Sequence, residues 1–214
     1  MTTAVSLFAT GYDAALWWQT LWRILAGVFG AMSFSTAGAL TAQLFQTDPR
    51  RNALAIALLF GLGGGMGIVL AGAALPLMLD VYGDAAWPFA WTLIGIVCFA
   101  MLPLGLWAGH TVRPPKQKAG PRLRLPLRRM MAELAGYAGF GLGYIVYFTF
   151  LSAWMTEQGS SAALIAGTWV MLGVCLCLSP FLWRPVFARF RNGMPLAMIL
   201  TGIATGSVLP VMLP

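Results

Sequence analysis

Charged side chains are scarce in this sequence. Lys, Arg, Asp and Glu together make up 9% of its 214 residues, whereas a soluble globular domain carries about a quarter. A chain with so few charges cannot cover itself with polar surface. The composition therefore excludes an ordinary soluble domain and indicates a polytopic membrane protein.

Side chains that carry out catalysis or bind metals are also few. The chain has one histidine, His110, and three cysteines, Cys98, Cys175 and Cys177, which lie in apolar runs with no acid near them in sequence. We expect the cysteines to pack as small apolar side chains. The glycines of Gly61–Gly72 lack the following Lys-Ser/Thr of a phosphate-binding loop. We therefore expect no enzyme activity, no metal site and no cofactor.

The positive charge that the chain does have is concentrated in one stretch. Residues 110–129, HTVRPPKQKAGPRLRLPLRR, hold seven of the thirteen Lys and Arg residues, four prolines and no acid. The prolines prevent one continuous helix, and basic connectors between apolar runs are retained on the cytoplasmic side. The stretch is predicted to be a cytoplasmic loop. Because membrane topology accounts for the net charge of +7, we expect no nucleic acid partner.

Long apolar runs fill most of the remaining sequence. A membrane-spanning helix needs ~20 predominantly apolar residues. The sequence predicts an all-α, polytopic transmembrane helical bundle with about six full spans plus a partial N-terminal helix. The partial helix covers residues 4–10, and the spans cover 14–44, 53–79, 85–109, 130–156, 162–183 and 194–213.

Charge sorting supports this alternation and sets the orientation. The loops 46–52, 110–129 and 184–193 hold 12 of the 13 basic residues, and the opposite loops hold Asp13, Asp80, Asp84 and Glu157 but no basic residue. Cytoplasmic loops of membrane proteins carry an excess of Lys and Arg. These three loops are therefore predicted to be cytoplasmic, and the chain is predicted to be integral to a bacterial inner membrane.

Small residues recur at four-residue spacing within the spans. Such faces let two helix backbones approach closely, which favours helix association in lipid. We expect close helix packing at the faces Gly61-xxx-Gly65, Gly63-xxx-Gly67, Gly139-xxx-Gly143 and Gly27-xxx-Ala31-xxx-Ser35.

Three stretches carry a recognisable pattern: WRILAGVFGAMSFSTAGAL (22–40), RNALAIALLFGLGGGMGIVLAG (51–72), and residues 136–183, which contain GLGYIVYFTFLSAW. They resemble helices of the major facilitator superfamily (MFS). The first resembles the fourth helix of the family, the second its glycine-rich fifth helix, and the third the seventh and eighth helices of its YbfB/YjiJ-like branch.

The resemblance implies a division of the chain. Family members have twelve helices in two halves joined by a long cytoplasmic loop. Residues 1–109 then belong to the N-terminal half (end of helix three, helices four to six), 110–129 form the inter-half loop, and 130–214 belong to the C-terminal half (helices seven to nine). We expect an internal fragment, with the missing helices of a full-length transporter as partners beside the lipid bilayer and a small-molecule solute.

The resemblance also implies a function. The expected activity is secondary active transport of a small solute by alternating access, with substrate and proton coupling left open. The alternative is a non-transporting truncated membrane protein or scaffold.

Arg23 is the one basic residue inside a predicted span. A buried charge at this depth is costly and usually faces a bundle interior or a watery cavity. In the family the fourth helix lines the central cavity, so we predict Arg23 as a substrate-binding residue, oriented by Gln19 one turn earlier. The alternative is that the guanidinium extends to the outer interface beside Trp17, Trp18 and Trp22.

Three tyrosines of the fourth predicted span form a second set of cavity candidates. Tyr137 and Tyr144 are seven residues apart on one helical face, and Tyr147 follows three residues after Tyr144. Aromatic rings with a polar tip suit mostly apolar pockets. The alternative for these rings is core packing or anchoring at the membrane interface.

The segment RPVFARFRNG (184–193) lies where the family repeats a glycine, acid and arginine pattern that gates the cytoplasmic side. Arg189 and Gly193 fit this pattern, whereas Arg184 and Ala188 occupy the glycine and acid positions. The resemblance therefore assigns a cytoplasmic gating role to Arg189 and Gly193 only.

The orientation is testable by cysteine labelling. In a variant without native cysteines, we expect a membrane-impermeant maleimide to label Asp84→Cys in intact cells. Lys118→Cys should be labelled only after the membrane is opened, because basic loops stay inside. Labelling of both positions from the same side would contradict the predicted alternation.

Overall fold

A computed structural model of the chain describes residues 1–44, 48–111, 127–190 and 194–212. All regular secondary structure in these residues is helical. The α-helices are α1 (Thr2–Thr10), α2 (Leu16–Leu44), α3 (Pro49–Tyr82), α4 (Trp87–Ala100), α5 (Leu102–Thr111), α6 (Leu127–Glu157), α7 (Ala162–Arg189) and α8 (Met194–Met212), with a 3₁₀ turn at Asp84–Ala86.

Membrane-spanning helices occur where the sequence predicts them. Five helical segments of the described chain are long and apolar enough to cross a bilayer, and no more than 17% of the most apolar stretch of each is buried. Apolar surface of this extent is unstable in water, so lipid must cover it. The predicted all-α polytopic bundle is confirmed. The five segments are Leu16–Leu44, Arg50–Tyr82, Asp84–Thr111, Leu134–Glu157 and Ala162–Val186.

The predicted partial helix and sixth span are also helical. The short apolar piece at residues 4–10 forms most of α1. Helix α8 lies at the predicted sixth span, and the apolar stretch described within it, Ala197–Leu209, is shorter than the other five. That α8 crosses the membrane stays a prediction.

The three predicted cytoplasmic loops are shorter than expected because the adjoining helices extend into them. Helix α5 reaches Thr111 and α6 begins at Leu127, both within the predicted loop 110–129. Helix α3 begins at Pro49, since Asp48 caps it: the carboxylate Oδ1 accepts hydrogen bonds from the backbone N–H groups of Arg50 and Arg51, each at 3.1 Å. Helix α7 continues through Arg184 to Arg189. Residues 45–47, 112–126 and 191–193 lie outside the described residues.

The third predicted span is interrupted. Helix α4 ends at Ala100, and α5 begins at Leu102 with Pro103 in its first turn. Pro103 has no N–H to donate to the carbonyl of Phe99, so the hydrogen-bond ladder breaks there. The two helices still follow one another within a single candidate span, Asp84–Thr111.

The described chain divides into two compact units by its contacts. The first comprises Met1–Gln117 with Ala162–Pro180, and the second comprises Lys118–Ser161 with Phe181–Pro214. The division into family halves at 110–129 stays a prediction.

Helix α1 is the most buried element of the first unit and contacts both α2 and α4. Its small residues make this possible: Ala4, Ser6 and Thr10 are buried, and the two hydroxyls donate to carbonyls one turn back, Ser6 to Thr2 at 2.9 Å and Thr10 to Ser6 at 2.8 Å. Buried hydroxyl groups that are satisfied within their own helix leave its surface free for close packing.

Helices α3 and α7 approach closely along a row of glycines in the first unit. A Cβ atom added at Gly61 would lie 2.6 Å from Pro180 Cγ, and one added at Gly65 would meet Cys177 Sγ and lie 2.6 Å from the Gly173 carbonyl. Gly72 contacts Trp169 in the same way. The prediction of a packing face at Gly61-xxx-Gly65 is confirmed.

The other predicted small-residue faces are open in the structure. A Cβ atom added at Gly63, Gly67, Gly27, Gly139 or Gly143 would meet nothing within 4 Å. The prediction of close packing at these glycines is wrong for the described residues, because identical spacing occurs on faces that no described helix covers. The close contact of α2 with α3 is instead at Gly38, which packs against the ring of Phe60 on α3.

The glycine contact leads to a matched pair of substitutions. Gly65→Ala should force α3 and α7 apart, because the backbone of Gly173 cannot move aside, and overpacking costs typically ~1–3 kcal/mol. Gly63→Ala makes the same chemical change on an open face of α3 and serves as the control. We expect thermal unfolding in detergent to show a lower midpoint for Gly65→Ala alone. Equal midpoints for the two variants would contradict the packing.

Candidate solute-binding residues

Arg23 contacts the ring of an aromatic residue from another helix. Its guanidinium carbon lies over the indole of Trp91, 5.0 Å from the ring centroid. Arg23 belongs to α2 and Trp91 to α4, and both are in the first unit. The side chain of Arg23 is otherwise exposed, and it forms no ion pair with any described carboxylate.

The two residues lie at corresponding levels of their spans. Each is seven positions from the start of its segment, Leu16 for Arg23 and Asp84 for Trp91, which corresponds to about 10 Å along a helix. Arginine costs about 2.5–3.5 kcal/mol at a span centre and less toward its end, and a cation–π contact returns about 0.5–2 kcal/mol. The indole therefore lowers the cost of placing this charge in the span, and the charge has no anionic partner among the described residues.

Three tryptophans precede Arg23 on and near the first turns of α2. The ring of Trp18 packs on Trp17 and Trp22, with centroids 5.5 and 5.6 Å apart, and its Nε1–H donates to the Ala9 carbonyl at 2.6 Å. The Nε1–H of Trp22 is buried, and no described residue accepts its hydrogen bond. The hydrogen bond from Trp18 thus connects α2 to α1 close to the position of Arg23.

Gln19 is half-buried one turn before Arg23. No hydrogen bond between their side chains occurs in the described part of the chain. The side chain that contacts Arg23 in the structure is that of Trp91, on another helix. Sequence periodicity relates positions within one helix only. The contact between Arg23 and Trp91 joins two helices, so a single sequence does not predict it.

The predicted tyrosines lie along a continuous line of rings on α6, in the second unit. Phe140 stacks on Tyr144 with centroids 5.6 Å apart, and Tyr144 contacts Phe148 at 4.4 Å. Tyr137 contacts Phe140 at 6.3 Å, and Tyr147 contacts Phe148 at 6.0 Å. The helical spacing that suggested one face thus produces an aromatic face with two phenylalanines in it.

The tyrosine side chains of this face are exposed to differing degrees. Tyr137 is 71% exposed, and Tyr144 and Tyr147 are each 41% exposed. The neighbouring hydroxyl of Thr149 bonds to its own helix, at 2.7 Å from the Ile145 carbonyl, as hydroxyls in spans often do. Arg23 and Gln19 belong to one unit and the three tyrosines to the other, so their grouping in one cavity stays a prediction.

The predicted gating residues are described only in part. Arg189 is the last residue of α7, is exposed, and has its guanidinium 5.9 Å from the centroid of the Phe190 ring. Gly193 lies outside the described residues.

An apolar pocket of about 530 Å³ lies elsewhere in the first unit. It is lined by Met78, Tyr82, Ala85, Ala86 and Phe89, where α3 passes through the 3₁₀ turn into α4. Gly83, with φ of +76°, permits that turn, since side-chain-bearing residues rarely adopt this conformation. The pocket contains none of the predicted site residues and no charged group among those that line it.

Metal-binding clusters are absent from the described residues: no three His, Cys, Asp or Glu side chains come together there. Cys98, Cys175 and Cys177 are free thiols, and Cys177 packs against Gly65 as a small apolar side chain.

Helices of this length and apolarity, with an arginine held inside one of them, define a polytopic α-helical membrane protein. Residues 1–214 match the family described as uncharacterised MFS-type transporter YbfB. The chain belongs to this family of MFS-type transporters. No curated protein and no solved structure matches the chain.

Proposed function

We propose that the chain carries out secondary active transport of a small organic solute by alternating access. The observation that carries this proposal is the match of residues 1–214 to an MFS-type transporter family. In transporters built from helical repeats, the solute binds near the middle of the bilayer while helix bundles move around it. The proposed binding residues are Arg23 and Gln19 on α2 and, in the other unit, Tyr137, Tyr144 and Tyr147 on α6.

The polar side chains of α2 and α6 support these assignments. Arg23 has no carboxylate partner among the described residues, so a solute is free to use its charge. On α6, exposed tyrosines combine rings with hydroxyl groups, a combination that suits binding of an organic molecule. An intramembrane ionisable residue is itself a reason to expect a functional site.

The contact between α3 and α7 supports movement. Glycines at Gly61, Gly65 and Gly72 form its α3 side, and no ion pair crosses it among the described residues. The side chains of Val69, Trp169 and Leu176 also contribute to it. Small shear displacements along such a surface disrupt few specific bonds. We propose that this surface lets the helices shift during transport.

We further propose that the protein lies in the inner membrane, with the basic segments 46–52, 110–129 and 184–193 on the cytoplasmic side. In this orientation Arg189 lies at the cytoplasmic end of α7. The resemblance gives Arg189 and Gly193 a role in gating the cytoplasmic side. The exposure of Arg189 supports a role in contacts that form in only one transport state.

Transport is testable in proteoliposomes containing the chain in its complete native reading frame. We expect a mixture of amino acids, carboxylates, sugars and amines to yield at least one solute that accumulates in the lumen, measured by mass spectrometry. A pH gradient across the membrane should change its rate if protons are coupled. Protein-free vesicles are the control, and no accumulation under any gradient would favour the non-transporting scaffold.

The gate is testable on the same solute with two arginines of α7. Arg189→Ala should slow transport about tenfold, a change of ~1.4 kcal/mol, while binding persists, since the gate acts on the conformational step. Arg184→Ala removes an equal charge five residues earlier and should leave the rate unchanged. Equal effects of the two substitutions would assign the loss to charge at the membrane surface rather than to gating.

A further inference from the structure

The contact between Arg23 and Trp91 leaves the hydrogen-bonding edge of the guanidinium unused. The guanidinium carbon of Arg23 lies over the indole of Trp91, 5.0 Å from the ring centroid, and Arg23 donates no hydrogen bond to a described residue. The N–H donors of arginine point outward in the plane of the group, as a fork that matches two oxygen atoms. The contact with the ring therefore leaves these donors without a hydrogen-bond acceptor among the described residues.

No group in the described chain completes that edge. Among the described residues, Arg51 forms an ion pair with Asp48, with Nε 3.2 Å from Oδ2, but no carboxylate forms one with Arg23. The side chain is exposed, so the edge is accessible. The adjacent Trp22 Nε1–H is a second donor at this level of α2 that is buried and has no acceptor among the described residues.

We propose that Arg23, positioned by Trp91, binds an oxyanion, a carboxylate or phosphate group. This inference deepens the proposed function and rests on it for the statement that the transported solute is anionic. Arg23 supplies the charge and two parallel N–H donors, the geometry that favours carboxylates and phosphates over other anions. Trp91 is a positioning residue, because its ring contacts the guanidinium and no described side chain bonds to the donors of Arg23.

Two sources present this chemistry at the level of Arg23. One is a soluble anionic solute within a transport cavity, and the other is the phosphate of a lipid headgroup, because Arg23 lies about 10 Å from the start of α2. Both use the same donors, so the experiment separates them by supplying each alone.

The first arm uses purified protein in a phosphate-free maltoside detergent. We expect benzoate and inorganic phosphate to raise the unfolding temperature and to change tryptophan fluorescence, whereas benzylamine, of similar shape and opposite charge, does neither. Arg23→Gln should weaken anion binding at least about tenfold, equivalent to 1.4 kcal/mol. Arg23→Lys should bind more weakly than the native protein, because the charge remains but the fork is lost. Arg50→Gln, at an exposed arginine of α3, should bind as the native protein does.

The second arm uses nanodiscs of phosphatidylcholine with and without phosphatidylglycerol, read by native mass spectrometry. Retention of phosphatidylglycerol that Arg23→Gln abolishes, with no effect of benzoate, assigns the site to a lipid headgroup. Trp91→Phe keeps a ring and should retain most anion binding, whereas Trp91→Ala should lose it. Unfolding temperatures of the two variants without anion, if equal, show that the difference in binding does not come from a folding defect.

The outcomes also separate this inference from the proposed function. Transport of amines or neutral solutes with no anion binding overturns the oxyanion site and leaves transport standing. Anion binding with no transport of any solute keeps the site and overturns the transporter. Equal binding of benzoate and benzylamine, or unchanged binding in Arg23→Gln and Arg23→Lys, also overturns the site.

Discussion

Within a bilayer, apolar side chains gain little by leaving lipid for protein, so helices associate only where their surfaces fit at short range. The contact of α3 with α7 meets this condition. On α3, three glycines contact residues of α7 through their bare backbone: Gly61 contacts Pro180, Gly65 contacts Cys177 and Gly72 contacts Trp169. On α7, Gly173 in turn lets the backbone of α3 come close. Helix α1, with its small buried residues, does the same between α2 and α4.

The same lipid surroundings give Arg23 its importance. Water would solvate an exposed arginine at little cost, but within a span the charge must find a partner in the protein, a ligand or the interface. The structure supplies an aromatic ring rather than a carboxylate. The packing of α2 against α4 thereby positions the one charge on which the proposed chemistry of the solute depends.

Much of the fold was predictable because apolar composition locates helices in lipid directly. Helix ends were less predictable: Asp48 captures two backbone N–H groups and starts α3 before Asn52, and arginines that suggest a loop are compatible with the last turns of α7. The candidate site was predictable only as single residues. Arg23 stands out as a charge in a span, whereas its contact with Trp91 depends on how two distant helices pack.

From the sequence alone came the class of protein, the positions of the spans, the sorting of basic residues and the isolated cation in α2, because each follows from local composition. The tertiary structure decided which of two equally spaced glycine pairs on α3 packs against α7, and which ring holds Arg23. Both outcomes depend on helix rotation and pairing. Residues far apart in the chain set these jointly, and spacing within one helix does not encode them.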